Sequence, residues 1–165
     1  MKKRLMSMVL SLFALCGIIG SSLNVYAAEN ELKKVDGSYL TNDDYSESHS
    51  SDNLTRGIHM MDGECSISKA GRDEIYCYGA TTANHEVDRL IVIVYVDQYQ
   101  EDLDEWTQID WWMTEANNDY YVHTDKTLEV PRGYYYRVHA DHFVEEGDDP
   151  MEETFTFTNG IYLPK

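Results

Sequence analysis

The sequence predicts an all-β protein, an antiparallel sandwich of about seven strands, and three observations carry that reading. From Leu54 onward apolar and polar residues alternate in short runs cut by Gly, Asn and Asp, the punctuation of strands and turns. Leu90-Ile91-Val92-Ile93-Val94-Tyr95-Val96 is apolar at every position and mostly β-branched, as a central strand covered on both faces must be. No helical apolar period of useful length competes with these runs.

The chain begins with a segment that does not belong to that domain. Lys2, Lys3 and Arg4 form a basic start, Leu5 to Ile19 is apolar, and a polar tail ends in Val25-Tyr26-Ala27, with small residues where a signal peptidase cleaves. Residues 1–27 therefore predict a secretory signal and an extracellular, secreted product. The apolar run is about 15 residues against the roughly 20 of a membrane span, so no stable membrane anchor is expected. Cys16 follows Leu15 and precedes more apolar residues, unlike the small-residue context of a lipidated cysteine. Residues 28–57, acidic and rich in Ser and Asn, predict a disordered leader with too little apolar surface to offset the entropy of ordering. Residues 58–165 predict one sandwich domain.

Within that domain Met60–Lys69 and Glu74–Thr82 flank Ala70-Gly71-Arg72 and predict a hairpin centred on Gly71. Cys65 and Cys77 each lie six residues from Gly71, so that register sets them directly opposite, close enough for a cross-strand disulfide. Period-two counting puts Cys65, Ile67, Ile75 and Cys77 on one face. Removing residues 1–27 leaves Cys65 and Cys77 as an even pair in a non-cytosolic compartment, which favours a structural bridge.

Further strands are predicted at Arg89–Tyr99, Thr107–Ala116, Tyr120–Val130 with a break near Asp125, Tyr134–Val144 and Glu153–Thr158. The segment Leu128-Glu129-Val130-Pro131-Arg132-Gly133-Tyr134-Tyr135-Tyr136-Arg137-Val138-His139-Ala140 resembles the penultimate strand of immunoglobulin-like and fibronectin type III domains. There a turn leads to a tyrosine that caps the corner, and by that resemblance Tyr134 or Tyr136 is the corner residue and the sandwich is immunoglobulin-like. Over the runs Cys65–Arg72, Ile75–His85 and Tyr134–His142 the chain also resembles an uncharacterised family of small secreted proteins from Gram-positive, gut-type bacteria. That resemblance implies no activity and transfers no functional residue.

Charge narrows the partners. The chain carries a formal net charge of −17, and loss of three basic residues and no acid with the signal moves it to −20. Such a polyanion repels phosphate backbones and anionic lipid, so no nucleic-acid partner is expected.

Four groups of residues invite chemistry. His139-Ala140-Asp141-His142 suggests a metal, but on a strand His139 and Asp141 share a face while His142 points the other way. Two acidic loops, one holding Asp102 and Asp104 and the other Asp148 and Asp149, supply the carboxylates that Ca²⁺ takes outside cells, without an EF-hand pattern. No other cofactor is called for. In Trp111-Trp112 adjacent residues face opposite sides. If Ile109 and Met113 mark the inner face, Trp111 enters the core and Trp112 faces outward. With Tyr120, Tyr121 and Tyr135 it would form an exposed aromatic binding surface for a glycan or a protein. Ser66-Ile67-Ser68-Lys69 satisfies S-x-x-K in letters, but that motif works on a helix. Neither G-x-S-x-G nor H-E-x-x-H occurs. The sequence thus predicts a secreted, non-catalytic binding module, with a bacteriocin-like effector as the alternative and a hydrolase as the weaker one.

Overall fold

The computed structural model describes residues 32–50 and 57–165, and the predicted signal lies outside the described residues. Among the described residues the strands are β1 (Lys34–Val35), β2 (Ser38–Thr41), β3 (Tyr45–His49), β4 (Met60–Lys69), β5 (Glu74–Gln100), β6 (Glu105–Glu129), β7 (Tyr134–Glu145), β8 (Glu152–Phe157) and β9 (Gly160–Leu163). The protein is all-β. Its described strands form one sheet in the order β1-β2-β9-β7-β5-β4-β3, with β6 added to β5 and β8 to β7.

The long hairpin of β5 and β6 organises the sheet. The first part of β5 pairs with β4 on one side and with the end of β6 on the other, whereas its second part pairs with the start of β6 and with β7. An irregularity between Thr82 and Val87 marks the crossing. The buried face of β5 accordingly changes from the odd-numbered Ile75, Cys77 and Thr81 to the even-numbered Leu90, Val92, Val94 and Val96. The sheet curls into two facing layers, and Cys65, Ile67 and Cys77 pack with Val92, Val94, Tyr136, Val138 and Ala140 in one core. The layers approach closely at Gly79, where an added Cβ would lie 2.6 Å from Val94.

Tyr136 caps the corner before β7. It is fully buried, and its hydroxyl donates to the Pro131 carbonyl at 2.5 Å, while Gly133 turns the chain at φ 90°. Of the two tyrosines predicted for this place, Tyr136 holds it. Tyr136→Phe is expected to cost about 1 kcal/mol, the value of one hydrogen bond, read as a lower urea midpoint at unchanged slope.

Several expectations require correction. The segment predicted as a disordered leader contains β1, β2 and β3. Its polar residues serve as hydrogen-bond partners to later strands: Ser38 donates to the Thr158 carbonyl, Thr41 donates to the Gly160 carbonyl, and Ser46 accepts from the Asn159 amide. Val35 and Leu40 bury themselves with Tyr99 against Trp106 and Tyr135. The sheet is also not purely antiparallel, because β2 runs parallel to β9.

The hairpin register differs from the one centred on Gly71. Lys69 pairs with Ile75, so Cys65 lies opposite Gly79 and Cys77 opposite Ile67. The cysteines share a face but stand diagonally, a spacing wider than a disulfide spans without backbone movement. Both are free and buried thiols, each pushed up to about 12 by desolvation. The gaps predicted between strands at 83–88 and 117–119 are irregularities in continuous strands, one at Thr82/Val87 and one at Asn118, whose φ is 52°, and the break predicted near Asp125 is absent, because Asp125 pairs with Tyr78 in unbroken register.

Candidate functional site

The two rows of residues that cross the outer face of the second layer are set by strand register. Trp111 of β6 pairs with Tyr95 of β5, Tyr95 with His139 of β7, and His139 with Phe157 of β8. In the adjacent row Met113, Ile93, Asp141 and Phe155 are aligned in the same way. Paired residues on neighbouring strands point to the same side, so these eight form one continuous surface. Much of it is open to solvent: Trp111 is 57% exposed, Met113 49%, and Phe155 62%.

The centre of this face is rigidly built. Tyr95 and His139 stack with ring centroids 4.6 Å apart and planes within 9°, and the Tyr95 hydroxyl donates to Asp141 at 3.1 Å. His139 Nδ1 lies 3.1 Å from the Asp97 carboxylate, to which Arg137 Nε also donates at 2.9 Å. Burial alone would raise the Asp97 carboxyl, but His139 and Arg137 more than offset it and hold the group below its ordinary range. Arg137 continues to the β1–β2 turn, donating to the Asp36 carbonyl, the Asp36 carboxylate and the Ser38 hydroxyl. That turn, with Asp36 and Gly37 at φ 44° and 85°, roofs one end of the face. A recess of about 270 Å³ lies beneath it among Asp36, His139, Asp141, Phe155 and Phe157. A second recess, of about 430 Å³, lies on the other flank of Phe155 beside Glu153 and Thr154.

The aromatic residues predicted to bind do not assemble into this surface. Trp112 is the inward tryptophan: it pairs with Val94, packs on the core and donates from Nε1 to Thr124 at 3.1 Å. Trp111 is the outward one, which reverses the expectation. The stripe Ile109, Trp111 and Met113 is apolar because it forms an exposed face, not because it is core. Tyr121 bonds Tyr78 across the first layer, at 2.7 Å between hydroxyls, and stacks with His123. Tyr120 is exposed further along β6, and Tyr135 packs beside Tyr99 and Tyr162.

Four of the six predicted metal ligands have partners within the fold. His139 and Asp141 share a face, as expected, but bond Asp97 and Tyr95. Asp104 accepts from Lys33 and from Tyr99, and Asp149 pairs with His59. Asp102 and Asp148 are exposed. The described residues that do bring potential ligand atoms together are Glu47, His49 and Glu64, all within 4.8 Å of one another. His49 Nδ1 bonds Asp62 at 2.8 Å, and that bond is the main reason its imidazole is held above its ordinary pKa. The sequence reading missed this trio because it placed residues 47 and 49 in the leader. Glu47 and His49 alternate on β3, and Glu64 faces His49 on β4.

Catalytic machinery gains no support from these positions. Ser66 and Lys69 fall on opposite sides of β4, and Lys69 pairs with Asp44 at 2.6 Å. Cys65 and Cys77 are buried, and desolvation raises both thiols, which disfavours the thiolate that a nucleophile needs. No helix among the described residues is long and apolar enough to cross a membrane.

Fold and surface together define a β-protein of two curled layers with an exposed aromatic face. The chain belongs to a family of unknown function, DUF6147, whose model matches residues 26–161. That match begins before β1 and so includes the N-terminal strands. No curated protein and no solved structure matches the chain.

Proposed function

We propose that this chain is an extracellular, non-catalytic binding module that engages a protein partner through the outer face of its second layer. The observation that carries this reading is the exposed cluster of Trp111, Met113, Ile109 and Phe155 around the fixed Tyr95–His139 stack. Trp, Met and aromatic rings are what protein interfaces concentrate at their centres, with charged residues at the rim, and here Glu115, Glu153 and Asp36 supply the rim. A monomer gains nothing in stability by leaving such a patch in water. Extracellular action rests on the signal read in residues 1–27. The Tyr136 corner supports an immunoglobulin-like ancestry for the layers, although the parallel β2–β9 pair departs from the purely antiparallel form.

A glycan is the second reading, favoured by the two recesses that flank Phe155, where Asp141, Glu153 and His139 could meet sugar hydroxyls beside aromatic rings. The secreted chain, immobilised and exposed to a cell-surface fraction, separates the two. Capture lost after protease treatment and retained after periodate oxidation supports the protein partner; the opposite pattern assigns the face to a glycan. Trp111→Ala is expected to weaken capture at least about tenfold, as loss of a central tryptophan does, with an unchanged melting midpoint. Full capture by that variant would remove this face from the function.

A further inference from the structure

We infer that the open edge of β6 is a docking edge for an extended, basic segment of the partner, which adds to the sheet as one more strand beside the Trp111 face. The inference rests on the reading of that face as a protein-binding surface. β6 runs for 25 residues, and among the described residues it pairs with β5 alone. Among the described residues no strand pairs with its other side, and although the Trp111 amide is held by the Asp110 carboxylate at 2.8 Å, the remaining outward amides and carbonyls are a template for a further strand.

Proteins ordinarily blunt such an edge with proline, lysine or a short length. β6 contains no proline, its one Lys or Arg is Lys126, and its first part, Glu105 to Asn117, runs 13 residues before the bend at Asn118, with a single bulge at Ile109. Lys126 lies past that bend but reaches back to Asp110 at 2.5 Å and over the Trp112 ring, so the first part carries no basic residue of its own and holds one from beyond the bend.

The core beside this edge is also incompletely covered. Trp112 and Ala116 of β6 point inward but are only partly buried against the core, and an added strand would place its inward side chains over them. Those side chains must be apolar. Its outward side chains would extend the surface of Trp111 and Met113 past Glu115, which pairs with Arg89 at 2.6 Å, in the field of a chain with net charge −17. Charge therefore selects a basic segment, and it opposes a second copy of this chain, which brings the same negative charge. The occupant is an extended segment in which apolar residues alternate with Lys or Arg.

The test uses the secreted chain and a blocked ten-residue peptide alternating Val and Lys. Two controls accompany it: a peptide with proline at alternate positions, which cannot complete a ladder, and one with Glu in place of Lys. Binding is read by titration calorimetry, and the edge itself by amide hydrogen exchange. The expected result is one peptide per chain and at least tenfold slower exchange at alternate amides within 105–117. Both controls should bind at least tenfold more weakly, and affinity should fall by about tenfold in high salt as charge is screened. Equal binding of the proline control, protection confined to other strands, no binding of the Val–Lys peptide, or the same protection arising from dimerisation without peptide would each overturn the inference. Loss of cell-surface capture in Trp111→Ala with an unresponsive β6 edge would leave the face in place and remove only the docking edge.

Discussion

Replacing Arg137 with methionine is expected to lower the unfolding free energy by about 3–5 kcal/mol, the cost of leaving a buried carboxylate without its partner. The side chains of Arg137 and Asp97 are only 7% and 5% exposed, and they meet at 2.9 Å. The planar guanidinium also reaches the Asp36 carbonyl and the Ser38 hydroxyl, and it lies 4.7 Å from the Trp106 ring centroid. One side chain thus fastens β7 to β5 and both to the β1–β2 turn. In the methionine variant Asp97 keeps His139 but loses its permanent cation. The turn loses its polar tether and keeps the apolar contacts of Val35 and Leu40. Arg137→Lys should recover little, because a point charge cannot replace the planar fork. Adding Asp97→Asn to Arg137→Met should restore part of the loss, because the orphaned charge is then gone; a double-mutant cycle measures that coupling. Urea unfolding followed by tryptophan fluorescence supplies the free energies. A loss below about 1 kcal/mol for Arg137→Met, typical of an exposed pair, would show that the ion pair does not hold these elements together.

What could be seen in the sequence, and what could not, follows from the range of the forces involved. Local signals located the strands at Met60–Lys69, Tyr134–Val144 and Glu153–Thr158 closely, because alternation, turn residues and β-branched runs act over a few positions. The corner at Tyr136 is one of the two positions that the resemblance to immunoglobulin-like domains implies. Register was not legible. Two residues of difference in the β4–β5 turn moved Cys77 from opposite Cys65 to opposite Ile67. The inward side of β6 depends on its pairing with β5, so the apolar stripe at Ile109, Trp111 and Met113 suggested core where the structure has surface.

The N-terminal strands were illegible for a different reason. Ser38, Thr41 and Ser46 look like residues for water, yet their partners lie more than 100 positions away, and no local pattern reports such a bond. The site is non-local in the same sense. His139 and Asp141 were noticed for their chemistry, but their partners Asp97 and Tyr95 lie on another strand. Only the pairing of β5 with β7 turns these two residues into the support of an exposed aromatic face.

Acidification from pH 7.5 to pH 4 is expected to remove about 3 kcal/mol of stability through one residue, His142. Its side chain is fully buried between the layers. Thr81 donates its hydroxyl proton to the Ile91 carbonyl, so its oxygen is free to accept from His142 Nδ1 at 3.0 Å. His142 Nε2 then accepts from Thr156 at 2.8 Å. That chain of donors fits the neutral ring. Desolvation lowers the imidazole pKa from 6.5 to about 4, although the nearby Asp62 charge pulls the other way. A depressed histidine pKa means that between the two values the unfolded chain binds a proton that the folded chain refuses. Stability is therefore complete above pH 6.5 and declines as pH falls toward 4, and at about 1.4 kcal/mol per unit the gap amounts to about 3 kcal/mol. Other groups titrate with different signatures. His49 has a raised pKa, so its contribution is present below pH 6.5 and lost as pH rises. The depressed carboxyls Asp97, Asp104 and Glu152 act above their unfolded values, near 4, and lose their contribution only in stronger acid. Comparing the chain with His142→Gln isolates the buried imidazole, because glutamine can donate and accept between the same threonines without titrating. The variant is expected to start less stable at pH 7.5 and to lose less on acidification, so that the difference between the two proteins narrows or reverses by pH 4. Parallel pH profiles of unfolding free energy would show that His142 is not the group whose burial sets acid sensitivity.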